Sequence, residues 1–588
     1  MSILIKLTLT IFVCLQATLL WSQEARDPVR SKAFSELAAK AWRTRDYRLA
    51  YAHSLDALRF DADNIEANLL AARFAIAEML GPQEWGTTLE KAGGDIQAYV
   101  EDRADEAVER LSDILVLKPD HVAAQLLLGM VYYENEMFHR LVGLFENYRR
   151  GNPDSAEPYF MLSLALNAQG DDEHARIAFA HGLNRLEGED RYLRAGFLFH
   201  EAVAQNAASL KRTWAPEDPL YLTNTNERLM EHFHRVAYAN LRFSEDDEMR
   251  GGWESDRGKV YIRYGAPAER FISASSVGPD QLWSYEDFSV AFMRLRESPW
   301  TYRNGIIGRT EFRTMADLAK SFPPASHVAK QWTQFPLSCR LVQFKGEGQT
   351  ARVDINLTFR DRRIDSKKGP KGARKVDVDL CILALDSNWR VIERTDSQLD
   401  HLAWLKGDTE GGYFVKSAFL ELAPGLVQIH AECLDRVSSI IGVFHDTLQV
   451  RIFGGNELAI SDIAINRRSI RRPGSVGRAG RVFLHAPERT GSIGKTLEVY
   501  AEVYNLGVFE APDSSRFTVQ FAVRPSEDPN GWAVISSYVN RGVSRSESLD
   551  LKLGLAKTAP GPKVLRLRVT DQARAETIEA TTDFRVTW

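Results

Sequence analysis

A regular interval of 34 residues organises the first third of the chain. It relates Pro119 to Pro153, and a segment rich in Ala and Leu follows each proline. The interval also links apolar positions: Leu128 with Leu162, Leu141 with Ala175, and Phe145 with Phe179. A repeat of this length holds one helix–turn–helix unit, which cannot bury its apolar face alone and therefore stacks on its neighbours. The sequence predicts an all-α solenoid over residues 28–188.

The period resembles that of the tetratricopeptide (TPR) repeat. Gly129 and Tyr132 stand where that repeat favours a small residue and an aromatic one. A weaker copy lies at residues 34–57, and Gly-Pro and Gly-Gly pairs interrupt the pattern between Gly81 and Gly94. We therefore expect about four helix pairs, with an insertion or an irregular unit at this interruption.

Stacked units of this kind form a concave groove that usually binds a protein or peptide. In the repeat register, five residues are predicted to line it: Leu126, Met130, Tyr133, Phe160 and Asn167. The alternative is that the apolar members of this set pack against another element of the same chain, because apolar helical faces are more often core than binding surface. Tyr133 and Asn167, which carry polar groups, are the stronger candidates for contacts with a partner.

A second distinctive feature is the stretch 252–267, Gly-Trp-Glu-Ser-Asp-Arg-Gly-Lys-Val-Tyr-Ile-Arg-Tyr-Gly-Ala-Pro. Its Ser-Asp-Arg-Gly portion has the composition of a turn. From Lys259 onward polar and apolar residues alternate, which predicts a strand that buries Val260, Ile262 and Tyr264 on one face. Gly265 and Pro267 would end this strand.

Together with Asn226-Glu227 upstream and Trp283-Ser284-Tyr285 downstream, this stretch resembles the signature of the GWxTD domain family, with Ser255 in place of the Thr in the family name. The resemblance implies an α+β domain at 190–325, accompanied by β domains, and assigns no biochemical role. We interpret the signature residues as structural: Gly252, Trp253, Ser255, Asp256, Arg257, Gly258, Tyr261, Tyr264, Gly265 and Pro267.

The remaining sequence consists of short alternating segments separated by turn residues, beginning at Leu341. This spacing predicts two antiparallel β-sandwich domains with an immunoglobulin-like fold, at 335–455 and 481–588. Between them, residues 456–480 are rich in Arg, Gly, Ser and Pro and are predicted to be a basic linker. At the end of the chain, Phe584, Val586 and Trp588 alternate onto one face, which predicts a strand tied into a sheet.

The N-terminus carries Lys6 and then an apolar run, which is typical of a secretory signal peptide at 1–22. The alternative is an uncleaved membrane anchor. We therefore expect an exported protein of the periplasm or cell envelope, with membrane contact only through this segment. Without Cys14, the cysteines are Cys339, Cys381 and Cys433; this odd number argues against a disulfide framework but allows one pair or three thiols.

The sequence contains no HExxH, GxSxG or GxxxxGK[ST] motif, so no catalytic, metal-binding or cofactor-binding residues are predicted. A net charge of -5 in 588 residues leaves no indication of a nucleic-acid partner. The sequence predicts a non-enzymatic scaffold or adaptor that binds an envelope protein or peptide through the TPR groove. The alternative is a hydrolase-like envelope enzyme whose site includes Asp256 and Arg257.

Overall fold

A computed structural model of the protein divides into two compact units. Unit 1 runs to Asp218 and continues over Thr225–Val328, and unit 2 comprises Pro219–Asn224 and Ala329–Trp588. The described residues are 26–44, 46–81, 94–186, 212–244, 251–275, 278–294, 299–308, 310–326, 332–360, 362–369, 373–406, 412–471, 481–485, 489–508 and 515–588. The predicted signal peptide lies outside these ranges. Within them, no helix has both the length and the apolarity needed to cross a bilayer.

Unit 1 begins with helical repeats. The eight helices described there are α1 (Pro28–Arg43), α2 (Tyr47–Phe60), α3 (Ile65–Leu80), α4 (Ile96–Leu117), α5 (Val122–Glu134), α6 (Phe138–Gly151), α7 (Glu157–Gln169) and α8 (Asp172–Asn184). Side chains such as Asp46 and Asp171 cap helix N-termini by accepting a backbone N–H. Each helix packs on the next, so the predicted succession of stacked helices is present in these residues. A Cβ at Gly129 would lie 2.6 Å from Phe145 Cζ, which explains the small residue in that unit.

The second part of unit 1 is an α+β domain. Its elements are α9 (Glu227–Phe243), α10 (Asp256–Tyr264), β1 (Glu269–Ser275), β2 (Gly278–Ser284), β3 (Ser289–Met293), β4 (Thr301–Ile307), β5 (Thr310–Phe312) and α11 (Met315–Ser321). The strands form one antiparallel sheet in chain order, β1-β2-β3-β4-β5. Tertiary contacts between α9 and both α7 and α5 join this domain to the helical repeats within unit 1.

The prediction of a strand from Lys259 is wrong, because residues 256–264 form helix α10. Ser255 caps the helix by accepting the Gly258 N–H at 3.0 Å, and Gly265 ends it with a φ of 80°. A short alternating run fits a buried helix as well as a strand. Here the cap and the terminal glycine decide the outcome.

Unit 2 opens with one eight-stranded antiparallel sheet in the order β13-β12-β9-β10-β11-β7-β6, with β8 paired to β9. The strands are β6 (Leu337–Lys345), β7 (Ala351–Phe359), β8 (Lys367–Lys368), β9 (Ala373–Leu385), β10 (Val391–Lys406), β11 (Gly412–Leu422), β12 (Gly425–Asp435) and β13 (Ile440–Val450). Strand β10 pairs with β9 and then with β11, and register shifts interrupt its pairing with β9. Apolar residues from both ends of the sheet share one core. The predicted antiparallel domain is therefore one sheet folded over its own core.

The second β domain has two five-stranded sheets around one core. Its strands are β14 (Ala459–Ile460), β15 (Ala464–Arg471), β16 (Arg481–His485), β17 (Thr490–Ser492), β18 (Thr496–Tyr504), β19 (Ser515–Pro525), β20 (Ala533–Gly542), β21 (Glu547–Gly554), β22 (Gly561–Asp571) and β23 (Glu576–Thr587). The linker prediction is wrong over β14 and β15, because Ile460 and Ile465 are buried in this core; residues 472–480 lie outside the described ranges.

The last strand, β23, pairs with β22 and with β17, so the C-terminal segment is held in a sheet as predicted. Phe584 and Val586 are buried. Trp588 is 91% exposed, so its predicted place on the same buried face is wrong. It follows β23, beyond the alternation that the strand imposes.

Candidate functional site

Helix α9 of the α+β domain packs against the helical repeats. Phe233 is fully buried, and its ring stacks on that of Phe160 of α7 with 4.1 Å between centroids. Phe179 of α8 completes this aromatic group at 5.9 Å from Phe233. Burial of large aromatic side chains is among the strongest contributions to packing. Within unit 1, the repeats and the α+β domain therefore share one apolar core.

This contact corrects part of the predicted groove. Leu126, Met130 and Phe160 are at most 4% exposed and belong to the shared core, so as they stand they offer no surface to a partner. Tyr133 is partly buried beside Tyr238 of α9, at 5.3 Å between ring centroids. Burial raises its pKa to about 12. Asn167, also partly buried, lies near the end of α7.

A buried polar pair accompanies the aromatic contact. The Ser163 hydroxyl donates to the Ala175 carbonyl at 2.8 Å, and its oxygen also lies 2.8 Å from His234 Nε2. Because the hydroxyl proton is already donated, His234 Nε2–H must donate to Ser163 Oγ. Burial lowers the pKa of His234 to about 4, so the ring is neutral at neutral pH.

The glycines of the signature allow backbone segments to approach closely. A Cβ at Gly252 would lie 2.0 Å from the Ala239 carbonyl oxygen of α9, and a Cβ at Gly258 would lie 1.9 Å from the Gly252 carbonyl oxygen. Asn240 fixes the same junction, because its Oδ1 accepts the Trp253 N–H at 3.0 Å. These contacts leave no room for a side chain at either glycine.

The charged residues of the signature are also engaged in the fold. Asp256 Oδ2 accepts the Tyr302 N–H at 2.8 Å. The guanidinium of Arg257 lies 5.3 Å from the Phe243 ring and 5.2 Å from the Trp300 ring. Both residues proposed for the enzymatic alternative thus hold α10 against β4 and neighbouring aromatic rings.

The aromatic residues of the signature follow the same pattern. Tyr261 stacks on Tyr238 of α9 at 4.6 Å between centroids, and Tyr264 packs edge-on against Phe288 at 4.8 Å. Trp253 is 5% exposed. Aromatic contacts of this kind stabilise the packing of a small domain. The signature therefore builds the junction between α9, α10 and the sheet.

An open cleft remains beside this junction in unit 1, with a volume of about 270 Å³. Helices α3, α4, α5 and α9 and strands β1 and β2 contribute its lining: Met79, Leu80, Val100, Glu134, Asn135, Arg242, Arg270, Ile272 and Gln281. The polar lining groups come from both the repeats and the α+β domain. A ligand in this cleft would contact both.

Among the residues that the structure describes, the lining of the cleft carries an excess of positive charge. Glu134 Oε1 accepts the Tyr238 hydroxyl at 2.8 Å and lies 3.7 Å from Arg242 Nε, too far for a hydrogen bond. Arg270 lies over the Trp283 ring at 5.0 Å, and no carboxylate pairs with it among the described residues. Two guanidinium groups thus face one carboxylate.

Gln281 adds an unsatisfied acceptor to the cleft. The residue is 4% exposed, and its Oε1 has no hydrogen-bond partner among the described residues. A buried amide oxygen without a donor is unfavourable, because it has lost its hydrogen bonds to water and makes none within the protein. The cleft therefore offers two cations and one acceptor, a combination that suits a ligand with a carboxylate beside an N–H donor.

The comparisons with known proteins agree with the resemblance to the GWxTD domain family. Residues 209–296 match the family model of the GWxTD domain, so the resemblance predicted from the signature is confirmed. No curated protein matches the chain.

Solved structures are similar to part of the chain. The MamA RS-1 ArsTM double mutant is 17% identical with a TM-score of 0.24, over 33% of this chain and 99% of that one. MamA itself is 16% identical with a TM-score of 0.19, over 30% and 98%. YrrB, described as a TPR protein with an unusual peptide-binding site, is 15% identical with a TM-score of 0.17, over 29% and 91%. At these identities the similarity concerns the fold alone.

Sequence reasoning missed the cleft because its residues are far apart in the chain. Glu134 ends α5, Arg242 lies in the last turn of α9, and Arg270 lies in β1. None of the three belongs to a recognisable motif. Only the docking of α9 on the repeats brings them together.

Proposed function

We propose that the protein is an adaptor of the cell envelope that binds a protein or peptide, and that the cleft beside α9 receives an acidic group of that partner. The observation that carries this proposal is the pair Arg242 and Arg270 facing Glu134, which has the single carboxylate among the described lining residues. An arginine stacked on an aromatic ring keeps its planar donors oriented, which suits carboxylate recognition.

The repeat fold supports the adaptor role, because stacked repeats present extended surfaces rather than a catalytic centre. The apolar N-terminal run supports a place in the envelope. Because Leu126, Met130 and Phe160 are buried in the core, we place the contact with the partner at the cleft instead, where the guanidinium groups of Arg242 and Arg270 line an open site.

The partner can be sought by site-specific photo-crosslinking in cells that produce the full-length protein. A photoreactive residue at Ile272, which lines the cleft, should capture a defined partner. The change Arg270→Glu in the same protein should abolish this adduct, because it reverses the charge that would meet the acidic group. Peptides from the captured partner, with and without their acidic residues, then measure the binding directly.

A matched charge reversal, Arg59→Glu, serves as the control. Arg59 is on α2 with its side chain 73% exposed, and it pairs with Asp56. It should leave the adduct unchanged, since exposed ion pairs contribute little. An adduct that persists in Arg270→Glu, or that Arg59→Glu removes equally, would contradict the proposal.

A further inference from the structure

A second cluster of polar residues lies in unit 2, on strands β12 and β13. In the antiparallel register His430 stands directly opposite His445, and Glu432 lies two residues further along β12. Ile429, Ala431 and Cys433 point into the core of the sheet. Because side chains alternate along a strand, His430 and Glu432 lie together on the opposite face.

That face is covered by the segment Pro219–Asn224, which belongs to the same unit. Leu222 N–H donates to Glu432 Oε2 at 2.6 Å, and the Tyr221 ring lies 4.6 Å from the His430 ring. Tyr221 and Leu222 also pack on a small apolar group on β9. The cover leaves His430 3% and Glu432 0% exposed.

The three side chains have the geometry of a ligand set. One ligand atom from each of His430, Glu432 and His445 lies within 4.8 Å of the others. His445 Nε2 and Glu432 Oε1 are 3.2 Å apart. Zinc bonds of about 2.0–2.1 Å in a tetrahedral site place neighbouring ligand atoms about 3.3 Å apart. This edge of the cluster therefore already has a suitable length, and small side-chain rotations would bring His430 to the same centre.

Hydrogen bonding within the protein does not account for His430. Both of its ring nitrogens are buried and lack a hydrogen-bond partner among the described residues. A structural ion pair explains Glu432 and His445 but leaves His430 unexplained.

We propose that His430, Glu432 and His445 bind a divalent transition metal ion, with Zn²⁺ as the best match to two imidazoles and one carboxylate. Three protein ligands of this kind leave the fourth position for water. His445, with its side chain 36% exposed, gives that position access to solvent. Leu222 N–H orients Glu432 as an outer-shell donor, so the metal also fixes Pro219–Asn224 on the sheet.

The test uses full-length protein stripped of metal and titrated with Zn²⁺ and, separately, with Co²⁺. Wild type should bind one equivalent, and Co²⁺ should give the visible absorption of a four-coordinate ion. His445→Ala changes the least buried ligand and should weaken binding by more than about 100-fold, beyond the 10–100-fold typical of outer-shell changes. Glu432→Gln should have the same effect.

His401→Ala is the control variant, since His401 is a surface histidine on β10 that pairs with Asp400. It should bind Zn²⁺ as wild type does. Equal far-UV spectra of the metal-free proteins would show that each variant is folded. Hydrogen exchange at the Leu222 amide gives a second measure, because Zn²⁺ should slow it at least tenfold in wild type and leave it unchanged in His445→Ala. Binding of less than one equivalent by wild type, or equal binding by wild type and His445→Ala, would overturn the proposal.

Discussion

The helical repeats and the α+β domain meet in two regions, the contact at α7 and the cleft. The two regions differ in whether their polar groups have partners. At α7, Phe160 and Phe233 meet in a buried aromatic contact, and His234 has a hydrogen-bond partner in Ser163. In the cleft, Arg270 has no carboxylate partner among the described residues, and Gln281 Oε1 has no donor. One region is complete without a ligand, and the other is not.

This difference distinguishes a contact that stabilises the fold from a site that can bind a partner, although both involve the same helical repeats. Apolar residues at groove positions of a repeat need not be a binding site, because an element of the same chain can fill the groove more stably than a transient partner. Polar groups left unsatisfied beside the filled part are the better indication of a site.

The largest expected effect comes from truncating the filled contact. Phe233→Ala should lower the free energy of unfolding of unit 1 by about 3–5 kcal/mol, because it removes a fully buried ring and leaves a cavity against Phe160 and Phe179. Denaturant unfolding and, in a separate experiment, scanning calorimetry measure this loss of stability. Phe271→Ala on β1, where the ring is 54% exposed, is the matched control and should cost far less. Equal losses would mean that α9 is not firmly docked on the repeats.

The next effect is a dependence on pH. Because folding lowers the pKa of His234 from 6.5 to about 4, its stabilising contribution is fully present above pH 6.5 and is lost as the pH falls toward 4. We expect the stability difference between wild type and His234→Gln to change by about 3 kcal/mol over this window. Thermal unfolding of both proteins from pH 7 to pH 4 checks it. Parallel pH profiles would refute a buried, neutral His234.

The close approach in the signature predicts a smaller loss. Gly258→Ala should destabilise unit 1 by about 1–3 kcal/mol, because the new Cβ would overlap the Gly252 carbonyl oxygen. Gly143→Ala, in an exposed helical position with nothing within 4 Å of the Cβ, should instead stabilise by about 0.5–1 kcal/mol. The two substitutions change the melting temperature in opposite directions, and a shift of the same sign in both would contradict the packing described here.

The capping residue of α10 predicts an effect of about 1 kcal/mol. Ser255→Ala removes the acceptor for Gly258 N–H and should lower stability by that amount. Ser255→Thr keeps the hydroxyl and should change stability by less than about 0.5 kcal/mol. Equilibrium unfolding distinguishes them, and equal behaviour of Ala and Thr would argue against the cap.

The smallest effect is expected in the cleft. Arg270→Glu should lower the stability of unit 1 by about 0.5 kcal/mol, because it removes the contact of the guanidinium with the Trp283 ring but breaks no ion pair among the described residues. Its effect should fall on binding. A large loss of stability would place Arg270 with the structural residues and remove the contrast between the two regions.

Much of the fold could be predicted from the sequence, because it rests on local patterns. The 34-residue period predicts the helix pairs, and alternation predicts the later strands. The signature strand fails because residues 259–264 are too short for periodicity to distinguish a strand from a helix. The cap at Ser255 and the stop at Gly265 carry the missing information.

The two candidate sites were not predictable from motifs. Glu134 of the repeats meets Arg242 and Arg270 only where α9 packs on the repeats. His430 and Glu432 meet His445 through the register of β12 and β13, and a His-x-Glu pair followed by a distant His is too common to identify alone. In both cases tertiary or cross-strand pairing creates the site.

Paired photo-crosslinking from the cleft and from the predicted groove tests the central claim most directly. Photoreactive residues are placed separately at Ile272 in the cleft and at Asn167 on α7, in full-length protein within producing cells. We predict a partner adduct from Ile272 that Arg270→Glu abolishes, and none from Asn167. An adduct from Asn167 that survives Arg270→Glu would contradict this account and return recognition to the concave face of the repeats.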